Sequence, residues 1–139
     1  MTGLVIDASV AAKWFFPEPH SDRSMRLLRA GRTLWAPDLI VPEFGNLVWK
    51  RCRRRELSPE EGDGIVRDFL KLPLALAASG SLVQTALAMA IETRATVYDC
   101  VYLALAVDRA APLVTGDERF VNALAGTPYR RHVRWIGGP

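Results

Sequence analysis

Four carboxylates stand where an acid can do chemistry. Asp7 closes the apolar run of "LVIDAS", Glu43 lies in "PEFGNLVWK", Asp99 in "TVYDCVYLALA" and Asp117 in "LVTGDERF". Two hydroxyls accompany them, Ser9 just after Asp7 and Thr115 just before Asp117. A carboxylate taken out of water is costly unless it is paired or coordinated. Acids gathered at one site also raise one another's pKa values unless a cation compensates them. Hard oxygen donors at a partly open site suit Mg²⁺ or Mn²⁺. Cys52 and Cys100 have no metal-ligand spacing, and His20 and His132 lie in polar, turn-like settings, so nothing suggests zinc. Each acid has an ordinary explanation when taken alone. Glu43 and Asp99 fall in the first turn of a helix, where the dipole favours an anion. Asp7 or Ser9 can cap a helix, and Asp117 can be a turn residue. Only the joint pattern shifts the balance toward a metal site.

The elements that must carry these residues follow from the hydrophobic pattern. Strands are expected at 3–7, 33–36, 113–115 and 133–136, as short apolar runs bounded by turn or cap residues. Helices are expected from the cap at Asp7 or Ser9 to Phe16, and over 21–30, about 42–55, about 59–72, 81–94, 97–110 and 118–124. "SPEE" at 58–61 has the form of a capping box, and the 97–110 helix is apolar nearly all round, which makes it central. Strands alternating with helices give an α/β fold: one domain over 1–139, with a short parallel sheet of four or five strands covered by helices on both faces. In such a sheet, sites form outside the carboxyl ends of the strands. All four acids fall at that edge.

The 139 residues are half hydrophobic and about a quarter charged, with a net charge of +3, as in an ordinary globular domain with a weak pull toward polyanions. The charge-free stretch 72–91 is long enough to suggest a membrane span, but Pro73 and Ser79-Gly80-Ser81 break it, so a linker followed by a core helix is expected and no membrane association. Free thiols and the lack of a basic leader before the first apolar run point to a reducing, cytoplasmic setting.

Taken together, "VIDASVAAKW", "PEFGNLVW", "YDCVYLALA" and "LVTGDERF", in this order on a chain of this length, resemble the PIN-domain ribonucleases. The resemblance is to the toxin branch of bacterial VapBC toxin–antitoxin pairs and runs from Leu4 to about Leu124. It implies an endoribonuclease that depends on Mg²⁺ or Mn²⁺, forms a homodimer and is inhibited by a cognate antitoxin protein. It places the acidic site on Asp7, Glu43, Asp99 and Asp117 and the hydroxyls on Ser9 and Thr115. Asp7, Asp99 and Asp117 are then the metal ligands, direct or through water. Glu43 holds a water or acts as general base, and the two hydroxyls orient a carboxylate or a phosphate oxygen.

Other features have two readings. The basic run Lys50, Arg51, Arg53, Arg54 and Arg55 can track an RNA backbone or simply close a helix favourably against its dipole. It sits at the far end of its helix from Glu43, which suits substrate wrapping or antitoxin contact rather than chemistry. Lys13 and Arg119 lie nearer the acids and can face substrate phosphates. Trp14, Phe15 and Phe16 are expected to pack in the core, with an antitoxin groove as the sharper alternative. Two other functions compete: a metal-dependent phosphatase for small phosphates, and a non-catalytic binding module whose acids only cap helices.

Overall fold

The computed structural model describes residues 3–139. β1 (Leu4–Ile6) is three apolar residues, none more than 2% exposed, so both of its faces are covered. It pairs in parallel with β2 (Leu34–Pro37) on one side and β4 (Leu113–Thr115) on the other. β3 (Leu74–Ala77) and β5 (Val133–Trp135) add parallel edges, giving the order β3-β2-β1-β4-β5. The chain builds outward from β1 to β3 and then crosses back to β4, so the sheet has its topological switch point between β1 and β4. Open parallel sheets place their crevice there, outside the carboxyl ends of the strands.

The helices are α1 (Ala8–Phe15), α2 (Ser21–Arg29), α3 (Ile40–Arg53), α4 (Pro59–Leu70), α5 (Val83–Thr93), α6 (Val97–Arg109) and α7 (Glu118–Ala123). α6 is central as expected: Cys100 to Ala106 is buried without interruption, and the helix packs on β1, β2, β4 and α5. The capping box also forms. Ser58 Oγ accepts from the Glu61 N–H at 3.1 Å, and Glu61 Oε1 accepts from the Ser58 N–H at 2.9 Å.

Three aromatic rings lock α3 in place. Phe44 stacks on Phe69 of α4 with ring centroids 4.0 Å apart, and Phe15 of α1 meets Phe44 edge-on at 5.3 Å. Phe15 and the buried Phe16 therefore serve the core, and the Trp14 indole N–H donates to the Ser24 carbonyl at 2.8 Å. Because Phe44 is fully buried, its neighbour Glu43 is held at a fixed place on the helix surface.

Two expectations need correction. The stretch read as a broken linker contains β3, whose Leu34↔Leu74 to Pro37↔Ala77 register ties it to β2. Its sequence, LALA, lacks the β-branched residues that mark strands, and Pro73 is admissible just before an edge strand. The helix after it is also less interior than its apolar sequence suggests: α5 exposes Val83, Leu87 and Ile91 along one stripe. Among the described residues no helix is long and apolar enough to cross a membrane.

Candidate active site

The first two acids are placed by helix capping at the switch point. Asp7 follows β1 and caps α1, its Oδ1 accepting from the Val10 N–H at 3.1 Å. Asp117 follows β4 and caps α7, its Oδ1 accepting from the Phe120 N–H at 3.2 Å. Ser9 therefore does not take over the capping of α1. Its hydroxyl donates to Asp7 Oδ1 at 2.5 Å and accepts from the Gly116 N–H at 2.8 Å, clipping the loop after β4 onto α1. That close approach favours glycine, since a Cβ at Gly116 would stand 3.0 Å from Ser9 Oγ and the hydroxyl would have to give way. Thr115, wholly buried at the end of β4, donates to Asp7 Oδ2 and accepts from the Asp117 N–H at 3.0 Å. The two hydroxyls thus bind β1 and β4 across the switch point and fix the Asp7 carboxylate.

The other two acids come from α3 and α6. Thr96 caps α6 by accepting from the Asp99 N–H at 3.1 Å, which sets Asp99 in the first turn. Glu43, in the first turn of α3, accepts a hydrogen bond from the Tyr102 hydroxyl one turn further along α6. All four acids line one cleft of about 480 Å³, together with Ser9, Asn46, Lys50, Tyr98 and Tyr102.

Burial first, and neighbouring charge after it, raises three of the acids. Burial raises the Asp7 pKa; the bonds from Ser9, Thr115 and Val10 pull against this, and the Asp117 charge adds to it. Asp7 as a residue is only part-buried because one side opens to the cleft, but protein atoms pack closely round its carboxylate and their effect prevails. Burial likewise raises Glu43, opposed by the Tyr102 bond and reinforced by the Asp7 and Asp99 charges. Asp99 is raised by burial and then by the Asp117 charge. Tyr102 is raised by burial and by its bond to Glu43, so its hydroxyl stays protonated and remains a donor.

The donor chemistry fits a hydrated divalent cation. Among the described residues none of the four acids has an ion pair. Glu43 Oε2 and Asp117 Oδ2 also have no hydrogen-bond partner there. No three acidic, His or Cys side chains converge closely enough to enclose an ion by themselves, among those residues. Mg²⁺ commonly keeps several waters and takes only one or two carboxylates, so this spread arrangement suits it.

A pH experiment follows from these shifts. The raised groups bind more protons in the folded metal-free chain than in the unfolded one, so stability falls as pH rises from the ordinary carboxylate range through their folded pKa values. Asp38 and Glu61 are lowered by hydrogen bonds from Ser79 and Ser58, and their contribution is lost only at lower pH, below the ordinary range. Melts in EDTA should therefore show a higher Tm on mild acidification. With Mn²⁺ present the same window should slope the other way, because protons compete with the ion.

The basic residues divide sharply. Lys50 lines the acidic cleft, contrary to the expectation that the basic run stays away from it. The reason is helical phase: Glu43, Asn46, Leu47 and Lys50 follow i, i+3, i+4, i+7 spacing and share one face of α3. Arg51 and Arg54 line a second cavity of about 240 Å³ that shares Leu47 and Lys50 with the first. Lys13 pairs with Glu18 at 3.4 Å, and Glu18 also takes Arg51 at 2.7 Å. Neither Lys13 nor Arg119 lines the acidic cleft, and Arg53 and Arg55 line neither cavity. Arg53 instead covers the Trp49 ring at 4.8 Å. Sequence reasoning missed Asn46, Tyr98 and Tyr102. Tyr102 had a signal, since a phenol in an otherwise apolar helix needs a partner for its hydroxyl.

Comparison with known proteins agrees with this fold. The PIN domain family model matches residues 4–124. Ribonuclease VapC3 of Pyrobaculum aerophilum is 31% identical over 121 residues, covering 86% of this chain and 92% of the relative. Among solved structures, PAE2754 from Pyrobaculum aerophilum superposes with a TM-score of 0.72 at 20% identity, over 97% of this chain and 84% of that one. A toxin–antitoxin complex from Klebsiella pneumoniae gives 0.66 at 14% identity, over 96% and 98%. The chain belongs to the PIN-domain family, as a protein of the VapC type.

Proposed function

We propose that this protein is the toxin of a toxin–antitoxin pair, a Mg²⁺- or Mn²⁺-dependent endoribonuclease that hydrolyses RNA phosphodiester bonds at the cleft holding Asp7, Glu43, Asp99 and Asp117. The observation that carries this reading is four carboxylates sharing one cleft at the switch point, with no side-chain cation paired to any of them among the described residues. The relatives' names support the same activity. Asp7, Asp99 and Asp117 hold the ion, directly or through its waters. The ion supplies Lewis acidity toward the phosphoryl group and lowers the pKa of water near it.

The protein's own part is orientation and proton handling. Ser9 and Thr115 fix both oxygens of Asp7, so that this carboxylate presents one geometry to the site. Glu43 is the general base. Tyr102 occupies its Oε1, and Oε2, which has no hydrogen-bond partner among the described residues, receives a proton from the attacking water. Its raised pKa brings it closer to the neutral range in which a base works best. The partners are RNA, a cognate antitoxin protein and a second copy of the chain, and the setting is the cytoplasm.

Two other readings are separated by simple measurements. A phosphatase would turn over a generic phosphomonoester, whereas the nuclease reading expects no such turnover. A binding module whose acids merely cap helices would melt at the same temperature with and without Mn²⁺. The expected result is a higher Tm with Mn²⁺ at neutral pH, and an unchanged one would contradict the metal site.

A further inference from the structure

Two residues of the cleft have no role in the chemistry above and no side-chain hydrogen bond or ion pair among the described residues. Tyr98, on the first turn of α6 beside Asp99, is 64% exposed while lining the cleft. Its hydroxyl has no hydrogen-bond partner and its ring no aromatic partner among the described residues. The second tyrosine of the same helix, Tyr102, is buried and bonded to Glu43, so the two differ in kind. Lys50, on the α3 wall, has no carboxylate at ion-pair distance among the described residues, whereas Lys13 and Arg51 are both engaged by Glu18. Lys50 also lines the neighbouring cavity with Arg51 and Arg54, so positive charge leads away from the acids on that side.

We propose that Tyr98 and Lys50 form a subsite for one unpaired nucleotide flanking the cleaved bond, the base stacked on the Tyr98 ring and the adjoining phosphate held by the Lys50 ammonium. This rests on the nuclease reading and adds to it the residues that grip the strand beside the cleaved bond. A ring open to the cleft offers a face to any base, and only a base splayed out of a helix can reach it. An ammonium free of a carboxylate partner is available to a phosphate as a point charge. The subsite therefore selects single-stranded segments or loops, and Asn46, on the same face of α3, is within the cleft to meet a base edge.

The test uses the full chain in EDTA, so that the strand stays intact, and a short mixed-sequence single-stranded RNA labelled for anisotropy. The same strand with abasic sugars serves as the comparison. Tyr98→Ala should weaken binding of the normal strand about tenfold, the size of one lost base stack, and leave the abasic strand unaffected. Tyr98→Phe should bind like the parent. Lys50→Met should weaken both strands and reduce the salt slope by about 1. Since Tyr98 is exposed, its variants should melt with the parent. Equal affinity of Tyr98→Ala and parent for the normal strand, or equal loss on both strands, would overturn the subsite while parent cleavage in Mn²⁺ kept the nuclease reading. A parent that neither binds nor cuts RNA would overturn both.

Discussion

Asp7→Asn should melt higher than the parent in metal-free buffer and yet lose at least about a hundredfold in RNA cleavage. Both effects come from one carboxylate. Its ionised form is disfavoured chiefly by burial, so removing the charge relieves a cost in the metal-free fold. The amide keeps the shape and can still cap α1, since asparagine is a good cap. Its oxygen can accept from Ser9 and Val10, while its nitrogen can donate to Thr115 Oγ1, reversing that bond and turning the Thr115 hydroxyl's own proton away from residue 7. Each 1 kcal/mol gained reads as about 4 °C in a domain of this size. Addition of Mn²⁺ should raise the parent's Tm and leave the variant's nearly unchanged. A variant that melts below the parent in EDTA would show that the carboxylate's hydrogen bonds outweigh its desolvation.

Phe44→Ala should be the most damaging single change to stability, at about 3–5 kcal/mol. The ring is fully buried and lies between Phe15 and Phe69, so its loss opens a cavity where α1, α3 and α4 meet. Natural domains have only about 5–15 kcal/mol in total, so urea melts should show a much lower midpoint. Phe44→Leu should cost clearly less, because most of the volume stays. Because Glu43 is the preceding residue on the same helix, cleavage by any folded fraction of Phe44→Ala should also fall. Parent-like activity per folded molecule would show that α3 is held by other contacts.

How far the sequence disclosed this site depends on which physical signal each residue left. The strands carrying Asp7 and Asp117 are buried on both faces, so they appear as bare apolar runs that stop on polar residues. Thr96 and Ser58 announce their helices through cap chemistry, and both caps form. β3 left no such mark: Leu and Ala carry no strand preference, and pairing with β2, a tertiary effect, decides their conformation. The apolar stripe on α5 misled in the opposite direction, because hydrophobicity alone does not say which face is covered. Glu43 and Asp99 were readable as helix-start acids, but the Tyr102 bond joining α3 to α6 spans 59 residues of sequence and is visible only in three dimensions. Lys50 was misjudged because distance along the axis was weighed and phase around it was not. Two full turns separate it from Glu43, about 10 Å, and bring it back to the same face.

The most direct test of the acid cleft as a metal-dependent nuclease is cleavage of total cellular RNA by the parent, Asp7→Asn and Asp99→Asn, each in EDTA and again after Mn²⁺ is restored. The parent should cut only with the ion present, and neither variant should cut in either buffer. Cleavage by the parent in EDTA, or full cleavage by either variant, would contradict the assignment.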